Sequence, residues 1–196
     1  MIIIYPAEDF KEYIELGNFP RLPIPEKCPD CNGVGTLVRN GYYERWCNTE
    51  TEECRLRIGR VRCTNKSCRV SHALLPGFLL PYRQSTAKVV EIFVRVYLFA
   101  GKTLDEAMQA ATKSNPARQK GASWIKSLAG KFREIRDYAS RLIPRFWCRE
   151  DPPGNRMHLR KLYRLLKMLF ARFDQVGSAL ARISFQFYKQ MGKRLV

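Results

Sequence analysis

The chain has 196 residues, of which 45% are hydrophobic, and a formal net charge of +17. This composition excludes a disordered tail and suffices for one well-packed domain, or for a small metal module joined to a helical one. The charge favours a polyanionic partner, with nucleic acid ahead of an anionic membrane or an acidic protein.

The sequence indicates neither a membrane span nor a secretory signal. No stretch approaches the ~18 consecutive apolar residues that a spanning helix requires. The opening MIIIYPAEDFKEYI lacks the basic start and the long apolar run of a signal peptide. We therefore expect a cytoplasmic protein without a membrane partner, in which closely spaced cysteines are metal ligands rather than disulfides.

The first 27 residues predict a short lead-in. Residues 2–5 are β-branched or aromatic and predict a strand. Residues 7–16 have the apolar spacing of a short helix, and the proline-rich link FPRLPIPEK follows. We therefore assign residues 1–27 to this lead-in.

Residues 28–84 predict a zinc ribbon and a connector. The segments GTLVRNGYYERW and CRLRIGRVRC alternate in polarity around the polar NTETEE, which is typical of a β-hairpin with a mobile tip. Cys28 and Cys31 precede this hairpin, and Cys63 and Cys68 end it. Two thiolate pairs at one end of a hairpin supply the tetrahedral ligands that Zn²⁺ prefers. We predict a structural zinc site at these four residues, with an iron centre or free thiols as the alternatives.

Three more potential ligands have several interpretations. His72 can replace a cysteine as a ligand, hydrogen-bond to one, or pack under the connector. Cys47 and Cys54 flank the hairpin tip, where they can form a disulfide or bind a second metal with a nearby glutamate; we favour plain thiols. The sequence has neither an HExxH motif nor an HxE motif with PCxxC, so we expect no catalytic metal and no enzymatic activity.

The connector HALLPGFLLPYRQS leads into a helical domain that we place at residues 85–147. Its two prolines favour an extended chain laid against a core. Ser85 or Thr86 is expected to cap a first helix, which runs to about residue 100 because Gly101 follows.

Two further helices complete a helix-turn-helix layout. Thr103 and Glu106 form a predicted capping box for TLDEAMQAATK, and a third helix is expected over about 122–142, after the turn KSNPARQKG. In helix-turn-helix proteins the start of the second helix of the pair contacts base edges. An ordinary three-helix core with a solvated basic face is the alternative. The residues predicted here to contact DNA are Arg118, Gln119, Lys120, Ser123 and Lys126.

Residues 148–196 predict a basic helical pair at 156–172 and 175–191, after the linker WCREDPPGN. Residues 131–196 carry 16 basic and 5 acidic side chains, the strongest positive charge in the chain. The first helix can track a phosphate backbone, lie on an anionic membrane or pack its apolar side against a partner. We favour phosphate contact together with packing against a second copy or a larger protein. The basic residues along one face of this helix are Arg156, Arg160, Arg164 and Lys167.

These predictions define an α+β fold: a small zinc-ribbon β-hairpin module, a mostly α-helical helix-turn-helix domain and a basic C-terminal helical pair. The segment RVRCTNKSCRVSHALLPGFLLPYRQSTAKVVE resembles an uncharacterised group of bacterial proteins associated with mobile elements. Those proteins are similar in turn to the N-terminal regions of insertion-sequence transposases. The resemblance covers about residues 28–139 and is most specific over 62–83. It implies that the four ribbon cysteines bind zinc and that the start of the third helix contacts DNA.

We therefore expect a zinc-stabilised, sequence-specific DNA-binding accessory or regulatory protein of a mobile element, associated with the nucleoid. Double-stranded DNA is the expected partner, with RNA as a second candidate. The alternative is a protein-interaction subunit of a larger nucleoprotein complex that contacts RNA or DNA without sequence preference. A transposase nuclease domain would need carboxylates that hold two metal ions. The few acidic residues after residue 130 have no strand pattern to assemble them, so we expect no nuclease.

Overall fold

A computed structural model describes residues 2–4, 10–15, 22–113, 118–143, 157–173 and 178–191. Within these ranges the chain has a small β-sheet followed mostly by helices. The predicted α+β class is confirmed.

The sheet contains four strands in the order β1-β4-β3-β2. The strands are β1 (Ile2–Ile4), β2 (Leu37–Asn48), β3 (Glu53–Cys63) and β4 (Ser71–Leu75). β2 and β3 form the predicted hairpin, β4 pairs antiparallel to β3, and β1 pairs in parallel with β4. The connector therefore begins as a sheet strand, which its prolines permit because the first of them, Pro76, comes just after β4. The short helix α1 (Phe10–Glu15) lies within the predicted range 7–16.

β3 supplies buried side chains to both faces of the sheet. Leu56 and Ile58 are buried in its first half, whereas Val61 and Cys63 are buried in its second half. Successive side chains of a strand point to opposite faces, so these two pairs pack on different sides. β2 accommodates the change with a bulge at Gly41, whose φ of +67° suits a residue without Cβ.

The remaining helices are α2 (Ala87–Val94), α3 (Leu104–Ala111), α4 (Arg118–Gly130), α5 (Phe132–Leu142), α6 (Met157–Phe173) and α7 (Ala179–Met191). α2 continues into a π-helical segment, Arg95–Phe99, and so ends close to the predicted residue 100. Thr86 caps α2 by accepting a hydrogen bond from Val89 N at 3.3 Å. Thr103 and Glu106 form the predicted capping box on α3.

The single third helix predicted over 122–142 is wrong, because this part of the chain forms two helices. α4 already begins at Arg118 and ends at Gly130, and α5 begins at Phe132. Lys131 between them has φ −106° and ψ 17°, outside the helical range. Glycine has low helix propensity, and Gly130 is where the first helix stops. α5 buries Ile135 in the helical core.

The hairpin tip, predicted to be mobile, makes contacts with the helices that the sequence did not predict. Thr49 is 4% exposed and Asn48 is 5% exposed. Thr112, directly after α3, donates its hydroxyl to Thr49 O at 2.9 Å, and Lys113 N donates to Glu50 O at 3.0 Å. The end of the ribbon is therefore attached to the segment that leads from α3 towards α4.

The helices α2 to α7 share one hydrophobic core. α6 contributes Leu162, Leu166 and Leu169, each fully buried. The apolar side of this basic helix is thus covered by the chain itself. A smaller core fills the ribbon around the sheet.

Candidate metal centre and nucleic-acid surface

Four cysteine thiols meet at the end of the ribbon opposite the docked tip. The Sγ atoms of Cys28, Cys31, Cys63 and Cys68 all lie within 4.8 Å of one another. Two of the separations are Cys28 to Cys68 at 3.8 Å and Cys31 to Cys63 at 3.7 Å. Four sulfurs bonded tetrahedrally to Zn²⁺ at about 2.3 Å would lie about 3.8 Å apart. The predicted residues are therefore brought together as a cluster that can hold a metal ion.

Each thiol pair lies in a tight turn that places a left-handed residue after its second cysteine. Asn32 follows Cys31 with φ +57°, and Arg69 follows Cys68 with φ +51°. Asparagine adopts this conformation readily, whereas a long side chain such as arginine does so at a cost. The same backbone device thus closes both turns, although their cysteines differ in spacing.

Asn65 stabilises the longer turn between Cys63 and Cys68 through hydrogen bonds. Its carbonyl accepts hydrogen bonds from the backbone N–H groups of Cys68 and Arg69, both at 3.0 Å. Its side-chain Oδ1 accepts from the Ser67 hydroxyl at 2.8 Å, and its Nδ2 lies 3.8 Å from Cys31 Sγ. The role of Asn65 was not predicted from the sequence, although an asparagine two positions after a cysteine in a polar turn is a recognisable signal.

The local environment favours thiolate at two of the four cysteines. A hydrogen bond with the Thr36 hydroxyl, 3.3 Å from Cys63 Sγ, lowers the pKa of Cys63 to about 7. The backbone N–H of Cys31 lowers the pKa of Cys28, and His72 contributes less. Metals bind the thiolate form, so both shifts favour coordination near neutral pH.

The pKa of Cys68 is raised by burial and by its proximity to the other three thiols. A backbone hydrogen bond at Val70 lowers the pKa of Cys68, but burial and the three neighbouring thiols together raise it to about 12. Like charges in one site disfavour full ionisation, whereas a bound cation would stabilise all four thiolates. The chemistry of this donor set therefore fits a divalent metal ion.

His72 lies beside the cluster and is completely buried. Its Nε2 is 3.6 Å from Cys28 Sγ and 3.7 Å from Asp30 Oδ2. Four thiols already complete a tetrahedral set, so the interpretation that fits is a hydrogen-bonding neighbour of a ligand. Its Nδ1 has no hydrogen-bond partner among the residues that the structure describes.

Cys47 and Cys54 are a cross-strand pair of free thiols near the docked tip. Cys54 Sγ donates to Cys47 O at 3.6 Å. Burial raises the pKa of Cys47 to about 12 and also raises that of Cys54. Among the described residues neither thiol belongs to a cluster of three or more potential metal ligands, which agrees with their interpretation as plain thiols.

The start of α4 presents polar and basic side chains beside a buried face. Trp124 and Leu128 face the helical core. Lys120 is half-buried, and Arg118 begins the helix with a side chain that is not described. DNA contact by these residues stays a prediction. The exposed members of the predicted set are Gln119, Ser123 and Lys126.

The predicted basic face of α6 is described in part. Arg164 and Lys167 are exposed, and Lys167 Nζ lies 3.3 Å from Tyr163 Oη. Arg160 belongs to α6, but its side chain lies outside the description, and Arg156 lies outside the described residues altogether. Phosphate contact by this face also stays a prediction.

Two connector residues that were not among the predicted DNA contacts lie beside α4. Tyr82 and Arg83 line a cleft together with Gln119, Lys120 and Ser123. Arg83 Nη2 reaches Ser127 Oγ of α4 at 3.4 Å. Their sequence positions, some 35 residues before α4, carry no signal of this proximity.

Part of the chain matches a protein-family model. No curated protein and no solved structure matches the chain. None of the helices among the described residues has the length and apolar character needed to cross a bilayer. The matching family model covers the four cysteines, the hairpin, the connector, α2 and α3, and ends before α4. Over residues 28–113 the chain is similar to a domain of unknown function, DUF6431.

Proposed function

We propose that this chain is a zinc-stabilised protein that binds double-stranded DNA with sequence preference. The observation that carries the proposal is the exposed polar and basic surface at the start of α4, in a block where α3 packs against both α2 and α4. We further propose that it serves as an accessory or regulatory factor of a mobile element and has no nuclease activity.

Zinc is the proposed ion because of the ligand chemistry. Four thiolates form a soft donor set, which selects zinc or iron over magnesium and calcium. Sγ separations of 3.7 and 3.8 Å agree with a tetrahedral Zn²⁺ site. With four protein ligands no position stays open for substrate, so the ion would stabilise the ribbon rather than catalyse a reaction.

DNA is the proposed partner because of the side chains on α4. Gln119 can donate to and accept from base edges, Ser123 can do both through its hydroxyl, and Lys126 can donate to bases or phosphates. The net charge of +17 would raise the rate of association with any nucleic acid. The mobile-element role rests on the resemblance of the ribbon and connector sequence alone.

The proposed function is tested by selecting bound sequences from a random duplex pool with the full, zinc-loaded chain. Single-stranded DNA and RNA serve as competitors. We expect an enriched duplex motif, and we expect Lys126→Ala or Ser123→Ala to change that motif. Lys88→Ala, at an exposed position of α2, is the matched control and should retain it.

Binding without an enriched motif would contradict sequence-specific recognition. It would favour the alternative, an interaction subunit that contacts nucleic acid without preference. One argument for that alternative no longer applies. Leu162, Leu166 and Leu169 of α6 are buried within the chain, so they do not need a partner protein to cover them.

A further inference from the structure

The connector and the first turns of α4 enclose a cleft of about 400 Å³. Tyr82 and Arg83 line it from the connector, and Gln119, Lys120 and Ser123 line it from α4. None of the described residues that line this cleft is acidic. Two cationic side chains and several hydrogen-bond donors therefore converge on one open concavity.

We propose that Tyr82, Arg83 and Lys120 in this cleft bind the phosphate backbone of duplex DNA. Gln119 and Ser123, at its α4 edge, would contact the bases. The inference rests on the proposed function and adds a binding site within it. Phosphate contacts to arginine, lysine and hydroxyl side chains fix the register of a protein on the duplex but do not read sequence. The cleft would thus orient α4 on the DNA.

Hydrogen bonds join the two sides of the cleft in the absence of a ligand. Arg83 Nη2 donates to Ser127 Oγ at 3.4 Å, which joins the connector to α4. With the Asn48 amide oriented to satisfy its neighbours, its oxygen accepts from Lys120 Nζ at 3.2 Å. Asn48 N in turn donates to Gln84 O at 2.6 Å. A preorganised site loses less conformational entropy on binding than a mobile one.

Tyr82 is the connector residue that best suits a ligand contact. Its side chain is 73% exposed, in contrast to Phe78 and Leu80 of the same connector, which are buried. Its φ of +61° is rare for a bulky residue, and the neighbouring structure must hold it there. Tyr82 lines the cleft, and a tyrosine hydroxyl can donate to a phosphate oxygen.

Two substitutions test the cleft in the full, zinc-loaded chain. Tyr82→Phe removes one hydroxyl and should leave folding intact, while Lys120→Ala removes one charge. Tyr42→Phe, an exposed tyrosine on β2, and Lys88→Ala on α2 are the matched controls. Thermal unfolding of each variant checks that a change in binding does not reflect a change in folding.

The readout is the dissociation constant for a random-sequence duplex between about 50 and 200 mM salt. We expect Lys120→Ala to reduce the slope of log affinity against log salt by about 1, and Tyr82→Phe to weaken binding by about 2- to 10-fold. Both effects should be independent of sequence. The controls should have smaller effects on the slope and on the affinity.

The possible outcomes distinguish a failure of the cleft proposal from a failure of the proposed function. Duplex binding by the unmodified chain, with Lys120→Ala and Tyr82→Phe equal to their controls, would overturn the cleft and leave the proposed function standing. Binding of single-stranded DNA or RNA alone would overturn both the duplex function and the duplex occupant of the cleft. Binding of no nucleic acid would also overturn both.

Discussion

The carboxylate of Glu91 in α2 accepts a hydrogen bond from the Ser178 hydroxyl at 2.6 Å, at the start of α7. The same carboxylate accepts from Leu180 N at 3.1 Å and pairs with Arg95 at 2.9 Å. Glu91 is only 1% exposed, and a buried carboxylate is tolerated when such partners satisfy it. This one side chain caps α7 and attaches it to α2, although the two residues are 87 positions apart.

We expect Glu91→Ala to lower the free energy of unfolding by about 3 kcal/mol, because Arg95 and the first turn of α7 lose their shared partner. Urea denaturation of the full chain measures this loss. Glu52→Ala, at an exposed position of the hairpin tip, should change the free energy by no more than about 0.5 kcal/mol. Equal losses in both variants would contradict the role given to Glu91.

Metal removal should unfold the ribbon. The four thiols come from two turns that meet only in the folded ribbon, so metal binding supplies part of its folding free energy. Chelation or Cys28→Ser should increase hydrogen exchange over residues 28–68 and abolish stoichiometric zinc in elemental analysis. Cys47→Ser should retain the metal, because Cys47 lies outside the four-thiol cluster. Unchanged exchange after the metal has left would rule out this coupling.

Cys47 should react slowly with alkylating reagents at neutral pH. Burial raises its pKa to about 12, and the thiolate is the reactive form. In the folded protein the alkylation rate should rise about tenfold per pH unit between pH 7 and pH 10 without a plateau, as followed by peptide mass spectrometry. A plateau near pH 9 would show an unshifted thiol.

The same shift has a consequence for stability. The folded state holds the Cys47 proton more tightly than the unfolded state, whose thiol has an ordinary pKa of 9.0. This contribution to stability is therefore complete below about pH 9 and is lost as the pH rises towards 12.

Docking of the hairpin tip should depend on Thr112. Thr112→Val removes a buried hydrogen bond to Thr49 O and should lower the free energy of unfolding by about 1–3 kcal/mol. Hydrogen exchange should increase at residues 48–53. Ser140→Ala, an exposed hydroxyl on α5, is the comparison and should be nearly neutral. A tip that stays protected in Thr112→Val would mean that other contacts hold it.

Much of the local structure could be predicted from the sequence, because its signals span only a few residues. The alternation around NTETEE predicted the hairpin, Thr86 and Thr103 marked two helix starts, and the cysteine spacing predicted which four thiols meet. A cap needs one side chain and a backbone N–H three residues away. Tight turns likewise bring their own cysteines together, so a metal cluster has a local signature.

Tertiary packing decided the rest. Alternation along β3 places Leu56 and Val61 on opposite faces, but the burial of both depends on distant segments that cover each face, which periodicity alone does not reveal. The tip of the hairpin is polar and would be mobile in isolation, but Thr112 meets Thr49 across 63 residues and holds it. Tyr82 approaches α4 only because the connector packs on the core. The sequence by itself determined most of the elements and the four thiols that meet, through interactions between near neighbours. The docked tip, the cleft and the Glu91 contact required the fold, because their partners are far apart in the chain.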